Sequence, residues 1–388
     1  MHWIPEADQL QLQRVSSLFE HNVRLFWLQK HAFSCQAGSS RHRHQLEKSF
    51  GDDNLIHLLK NQYLKNVRLV NLSDCFNLTA RSLSQIGMHS LRIQHLNISR
   101  TGVDNQSLVE IVSELKELEV LILDDCKGVN GTGLLTALVK CKELRQLSMA
   151  GLNLRDCPNW LESLPETIQK LDLRRCKLIV SVTSKLANVK ELNAQYSELS
   201  DDDINAICRS CTNLEVFTMP YLSWLSDESV VFQNIDQLTN LTRFEADFTK
   251  INTDLYMKLS VLHNLKHLTL DAVIGNFDIM AHISHLRLQS LSLSNFLHIG
   301  TEQLLLLANC SSLQVLKLVG CYSVTDEGLI AVINANNDLR HLDVSECDLV
   351  TNRTLDCIIA RVQATPQNFY LRVEDADMTM EGIVFPNN

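Results

Sequence analysis

One frame of spaced leucines constrains this chain more than any other feature. Its clearest copy reads Leu313-x-x-Leu316-x-Leu318-x-x-Cys321-x-x-Val324-Thr325-Asp326-x-Gly328-Leu329, preceded by Cys310. Leu316 and Leu318 stand two apart, the spacing that puts side chains on one face of a strand. Cys321 closes the strand as a small buried residue whose thiol can bond a neighbouring turn only weakly. Thr325 suits a helix N-cap, and Asp326 and Glu327 suit the positive end of the helix dipole. One copy therefore predicts strand, turn and helix.

The frame recurs twelve times, opening at Val67, Ile93, Leu118, Leu144, Ile168, Val189, Leu214, Leu241, Leu265, Leu288, Leu313 and Leu339. Its intervals run from 21 to 27 residues, and chance apolar runs do not stay in phase over so many. A strand–helix unit of this size cannot bury its apolar side alone, so neighbours must stack. The expected fold is an α/β solenoid: a curved horseshoe with a parallel inner sheet and outer helices. Its crossovers are right-handed, as parallel connections almost always are. Length alone (388 residues) would suggest two or three compact domains, but a stack grows along one axis.

The ends divide accordingly. Residues 1–62 read as a helical N-terminal segment and cap with a linker, residues 63–365 as the repeats, and residues 366–388 as a degenerate last strand and C-terminal cap. Val15, Leu18, Phe19, Val23 and Phe26 recur at helical spacing, which predicts a helix over roughly residues 6–33. A polar linker follows at 36–45, then a short helix through Leu55, Leu58, Leu59 and Tyr63 that covers the open end of the stack. The repeat opening at Ile168 has only 21 residues to the next, so residues 181–186 have room for one or two turns. The helix Asn352–Gln363 must stop before Pro366. Phe369, Leu371 and Val373 then alternate like one more strand.

Composition narrows the function. A formal net charge of −10 argues against a nucleic-acid partner, whose phosphates demand cations. No apolar run approaches a membrane span, and the start Met1-His2-Trp3-Ile4-Pro5-Glu6 lacks the basic and apolar regions of a secretory signal. Eight of the twelve cysteines sit at fixed frame positions: Cys75, Cys126, Cys176, Cys321 and Cys347 after the strand, and Cys141, Cys211 and Cys310 before the opening leucine. They read as reduced structural residues, which places the chain in the cytoplasm, the nucleus or both. Cys208-x-x-Cys211 lacks the second pair of a zinc site, so no metal and no cofactor are expected.

The combination Cys-x-x-Leu-x-x-Leu-x-Leu-x-x-Cys-x-x-(Leu/Val)-Thr-(Asp/Asn) resembles the cysteine-containing subclass of leucine-rich repeats. Residues 310–329 match it throughout, and residues 339–355, 118–134 and 67–83 match most of it. That subclass looks most like the repeat domains of F-box/leucine-rich-repeat proteins, the substrate receptors of cullin-type ubiquitin ligases, and of their F-box-less relatives. An F-box would open with Leu-Pro and carry a basic-Trp pair; here Ile4-Pro5-Glu6, Leu18-Phe19 and Trp27 are faint echoes. The resemblance implies a ligase adaptor as the partner of the N-terminal helices.

No catalytic constellation stands out. His282-x-x-His285 lacks a completing cluster, no serine sits in a Gly-x-Ser-x-Gly turn, and Gly128–Gly133 falls where the frame already calls for a turn and cap. A non-enzyme is expected. The residues between the buried leucines project from the concave face instead. Lys170, Arg174, Arg175, Tyr196, Tyr221, Arg243 and Phe248 are its candidate protein-binding residues. Tyr196, Tyr221 and Phe248 share one frame position in three consecutive repeats, which predicts an aromatic ladder, and aromatics with arginine dominate binding hot spots. Two functions fit: the substrate-recognition subunit of a cullin-RING (SCF-type) ubiquitin ligase, or a free-standing leucine-rich-repeat scaffold or inhibitor unrelated to ubiquitin.

Overall fold

The computed structural model describes residues 31–35, 50–178, 184–219, 231–247, 253–271, 279–364 and 368–374. The chain divides into two compact units, residues 1–203 and 204–388. Both are stacks of leucine-rich repeats.

In the first unit the strands are β1 (Ala32–Ser34), β2 (Leu69–Asn71), β3 (His95–Asn97), β4 (Val120–Ile122), β5 (Gln146–Ser148), β6 (Lys170–Asp172) and β7 (Glu191–Asn193). Each pairs in parallel with the next in sequence order. The register follows the frame without a slip: Leu69, His95, Val120, Gln146, Lys170 and Glu191 form one row. The next row, Val70, Leu96, Leu121, Leu147, Leu171 and Leu192, is at most 2% exposed. Burial of each such side chain contributes about 1.5–3 kcal/mol, and a one-residue slip would turn the whole row outward.

The second unit carries β8 (Val216–Met219), β9 (Arg243–Asp247), β10 (His267–Asp271), β11 (Ser290–Ser294), β12 (Val315–Lys317), β13 (His341–Asp343) and β14 (Tyr370–Arg372). These also pair in parallel and in order. Where Phe217 and Phe244 replace frame leucines, they meet Phe232, with ring centroids 6.0, 6.0 and 5.2 Å apart. The substitutions enlarge the core there rather than loosen it.

The frame's small residues have the roles their chemistry suggests. The post-strand thiols donate to a carbonyl of the preceding repeat: Cys126 to Ile98 at 3.1 Å, Cys176 to Met149 at 3.0 Å, Cys321 to Leu293 at 3.2 Å and Cys347 to Leu318 at 2.9 Å. The donor always comes from the same frame position and so does the acceptor. Helix starts are capped as expected, by Thr325 accepting from the Gly328 amide and Asn130 from the Gly133 amide.

The beginning of the chain differs from the expectation. Ala32–Ser34 is a strand paired with β2, where the apolar spacing predicted the end of a helix; the rest of that predicted helix lies outside the described residues, as does the 36–45 linker. Phe33 and Cys35 alternate at the strand period and are 3% and 4% exposed, a signal too short to outweigh the helical pattern before it. The helix Asp52–Lys60 therefore belongs to a strand–helix unit ahead of the first counted copy. The expected strand after Pro366 is present as β14, and the described residues of the short repeat include a 3-10 turn at Ser184–Leu186. No helix among the described residues is long and apolar enough to cross a membrane.

Candidate binding surface

Parallel sheets are usually covered on both faces. Here one face stays open: β2, β3, β6 and β13 each run exposed, buried, intermediate along their three residues. Counting the opening leucine as position one, positions three and five of every repeat project from this open face. It presents one row of side chains per strand, spaced about 4.8 Å.

In the first unit the structure brings Lys170, Arg174, Arg175 and Tyr196 onto that surface, but their cations are already paired. Lys170 Nζ lies 2.8 Å from Glu191, Arg174 grips Asp172 at 2.7 Å, and Arg175 reaches Asp125 at 3.3 Å. The hydrogen bond to Asp172 holds the Arg174 guanidinium above its ordinary value despite partial desolvation. Tyr196 is 49% exposed. In the second unit Arg243 lies on β9 beside Glu245, at 3.5 Å. Tyr221 and Phe248, two rungs of the predicted aromatic ladder, lie outside the described residues.

A further row emerged that the leucine spacing does not announce. Position eight holds Asp74, Arg100, Asp125, Gly151, Arg175, Tyr196, Asn295, Gly320 and Glu346, and every one has φ between 55° and 77°. The chain must enter the left-handed region there to leave the strand, a conformation costly for most side chains. The signal lay in the Gly, Asn and Asp enriched at that position. In the first unit this row is wired together. Arg100 bonds Asp74 at 2.9 Å and Asp125 at 3.3 Å, and these bonds push its guanidinium above the usual value. Arg175 then reaches Asp125 across a whole repeat because position eight between them is Gly151. A Cβ there would lie 2.2 Å from Asp125 Oδ1.

At the helix starts a second set of carboxylates ties neighbouring repeats. Asp52 accepts from Thr79 N and Oγ1 and from Ser82 Oγ, at 2.8, 2.6 and 2.5 Å. Asp156 accepts from Gly131 N and Thr132 N at 2.9 and 3.0 Å. Asp326 accepts from Thr351 N and Oγ1 at 2.9 and 2.6 Å, and from Thr354 Oγ1 at 2.6 Å. Desolvation opposes ionisation of each of these three groups, yet the hydrogen bonds outweigh it and leave all three carboxyls below the usual range.

Nothing described resembles a reaction centre. Among the described residues no group of three or more His, Cys, Asp or Glu side chains could hold a metal ion. His285 spends its Nε2 on the Ser260 carbonyl at 2.9 Å. Burial pushes the thiols of Cys126 and Cys211 up to about 11 and about 12, away from thiolate chemistry. What the surface can do is hold another molecule by shape, apolar contact and hydrogen bonds.

No family model matches the chain. A transport inhibitor response 1-like protein of Oryza sativa subsp. japonica is 24% identical over 265 residues, 66% of this chain and 41% of that protein. A Caenorhabditis elegans protein named for RNA binding is 23% identical over 302 residues, 74% of this chain and 40% of that protein. This chain thus spans about two fifths of the length of the curated relatives it matches. A chain of the crystal structure of the yeast Rad7 and Elc1 complex has a TM-score of 0.52 at 16% identity, covering 99% of this chain and 97% of that one.

Proposed function

We propose that this leucine-rich-repeat chain is a non-enzymatic recognition subunit that holds a protein partner on the open face of its sheet, as the substrate receptor of a cullin-RING (SCF-type) ubiquitin ligase. The observation that carries the binding role is the uncovered face of a parallel sheet, with Tyr196 and an ordered set of ion pairs at its surface. Fixed charge pairs favour a partner recognised by shape and bidentate hydrogen bonds rather than by bulk charge. The net charge of −10 weighs against RNA.

The ligase role draws support from the frame's resemblance to F-box/leucine-rich-repeat receptors and from the similarity to the transport inhibitor response 1-like protein. It also draws on the fold shared with a chain of the Rad7 and Elc1 complex. Adaptor docking would fall to the N-terminal segment, and a cytoplasmic or nuclear location follows from that role. Affinity capture of the tagged full chain, scored for cullin and adaptor, tests it. Deleting residues 1–30, which spares β1, should abolish recovery of both while the thermal midpoint holds. Absence of cullin and adaptor from the intact chain's partners would leave the free-standing scaffold or inhibitor.

A further inference from the structure

We propose that a second docking ridge, separate from the sheet face, runs along the strand-to-helix loops of repeats ten to twelve and takes a basic amphipathic helix of a partner protein. Leu297, Tyr322 and Leu349 follow β11, β12 and β13 at frame positions ten, ten and eleven. They are 49%, 45% and 53% exposed. The loops that carry them are fastened to one another. Ser323 Oγ donates to the Leu297 carbonyl at 2.8 Å, and Cys347 Sγ donates to the Leu318 carbonyl at 2.9 Å. Thr351 is bound to Asp326 through its amide and hydroxyl. Three adjacent loops are thus held side by side, each with one large exposed apolar side chain, and exposed apolar groups clustered in this way are a usual mark of a contact site.

Charge selects the occupant. Glu346 and Asp348 stand exposed at the end of the ridge and make no ion pair or side-chain hydrogen bond among the described residues. Glu302 and Glu327 occupy the first helical turns of repeats ten and eleven, where Arg353 stands in repeat twelve. Lys317 sits at position five, on the sheet face. Carboxylates therefore outnumber cations around the apolar line. Geometry selects a helix. One turn rises about 5.4 Å and one repeat about 4.8 Å, so apolar residues three or four apart on a partner helix meet one repeat each.

The test uses the full chain and a fluorescent helix-forming peptide with leucines three or four apart and lysines on both flanks, beside a charge-inverted peptide with glutamates for the lysines. Anisotropy should show the basic peptide bound and the inverted one free. Tyr322→Ser should weaken binding roughly tenfold, the ordinary cost of a lost aromatic anchor. Glu346→Lys with Asp348→Lys should release the basic peptide and admit the inverted one, a gain that unfolding cannot produce. Phe76→Ser, at position ten of the first repeat and 60% exposed, should change nothing. Four results would overturn the ridge: no binding of the basic peptide, equal binding of both, an equal loss from Phe76→Ser, or self-association of the chain abolished by Tyr322→Ser. The last would assign the surface to a second copy.

Discussion

Position eight of the frame is the same backbone device in both units and a different electrostatic one. In the first unit Asp74, Arg100, Asp125 and Arg175 are joined in a chain of ion pairs. In the second, Asn295, Gly320 and Glu346 follow one another without an ion pair among the described residues, and the neighbouring loops carry exposed apolar groups instead. A repeat protein meets the same demand, a left-handed residue after each strand, with whatever side chain function allows. Where charges are mutually satisfied the surface offers a partner fixed hydrogen-bonding shape rather than free charge. Where a carboxylate stands unpaired beside apolar side chains, it is available to something else.

The glycines test this contrast most severely. Gly151 and Gly320 have φ of 77° and 66°, and an added Cβ would meet Asp125 Oδ1 at 2.2 Å or Asn295 Oδ1 at 2.5 Å. Both Gly→Ala changes should cost about 1–2 kcal/mol for the backbone alone. Gly151→Ala should cost roughly another 1 kcal/mol, since it also displaces the carboxylate that Arg175 and Arg100 share. Chemical denaturation of the two variants should show the larger loss for Gly151→Ala. Equal losses would mean that the ladder contributes nothing.

Acid should act on both units alike. Asp52, Asp156 and Asp326 have folded pKa values below their unfolded ones, so each contributes stability that is complete above about pH 4 and is lost as pH falls through the folded pKa. Hydrogen exchange read peptide by peptide should therefore rise at the helix starts of both units below about pH 4. Asp326→Ala, which strips buried donors of their acceptor, should cost about 2 kcal/mol at neutral pH and flatten the acid response in its own unit.

Cys126→Ser should cost about 1 kcal/mol, because a shorter, more polar group would take over the bond to Ile98 in an apolar setting. Smaller still is Asp125→Asn. It breaks two half-exposed ion pairs and should cost about 0.5–1 kcal/mol at low salt, shrinking at high salt as exposed pairs are screened. Glu346→Gln should be neutral at any salt. A salt response of equal size in both variants would erase the distinction between the units.

The stack was legible because a leucine frame is redundant: twelve copies share one strand period and five of them carry the cysteine after it, so even Phe217 and Phe244 did not hide it. The strand at Ala32–Ser34 was not, because only Phe33 and Cys35 alternate there, against a longer helical pattern upstream. On the candidate surface the sequence showed that Lys170 and Arg174 face outward by period-two alternation, with Arg175 beside them only because the chain turns left-handed there, at φ 56°. It could not show that Glu191, Asp172 and Asp125 already hold them. Arg175 and Asp125 lie 50 residues apart, joined by register and by a glycine that leaves the gap. Pairing of that kind belongs to the stack and not to any one repeat.

The most direct measurement is a site-specific photocrosslink. A photoreactive phenylalanine analogue installed at position 196 on the open face should crosslink the captured partner, and the same analogue at exposed position 110, on the helix side of the same unit, should not. Crosslinking at 110 with none at 196 would contradict binding through the sheet face.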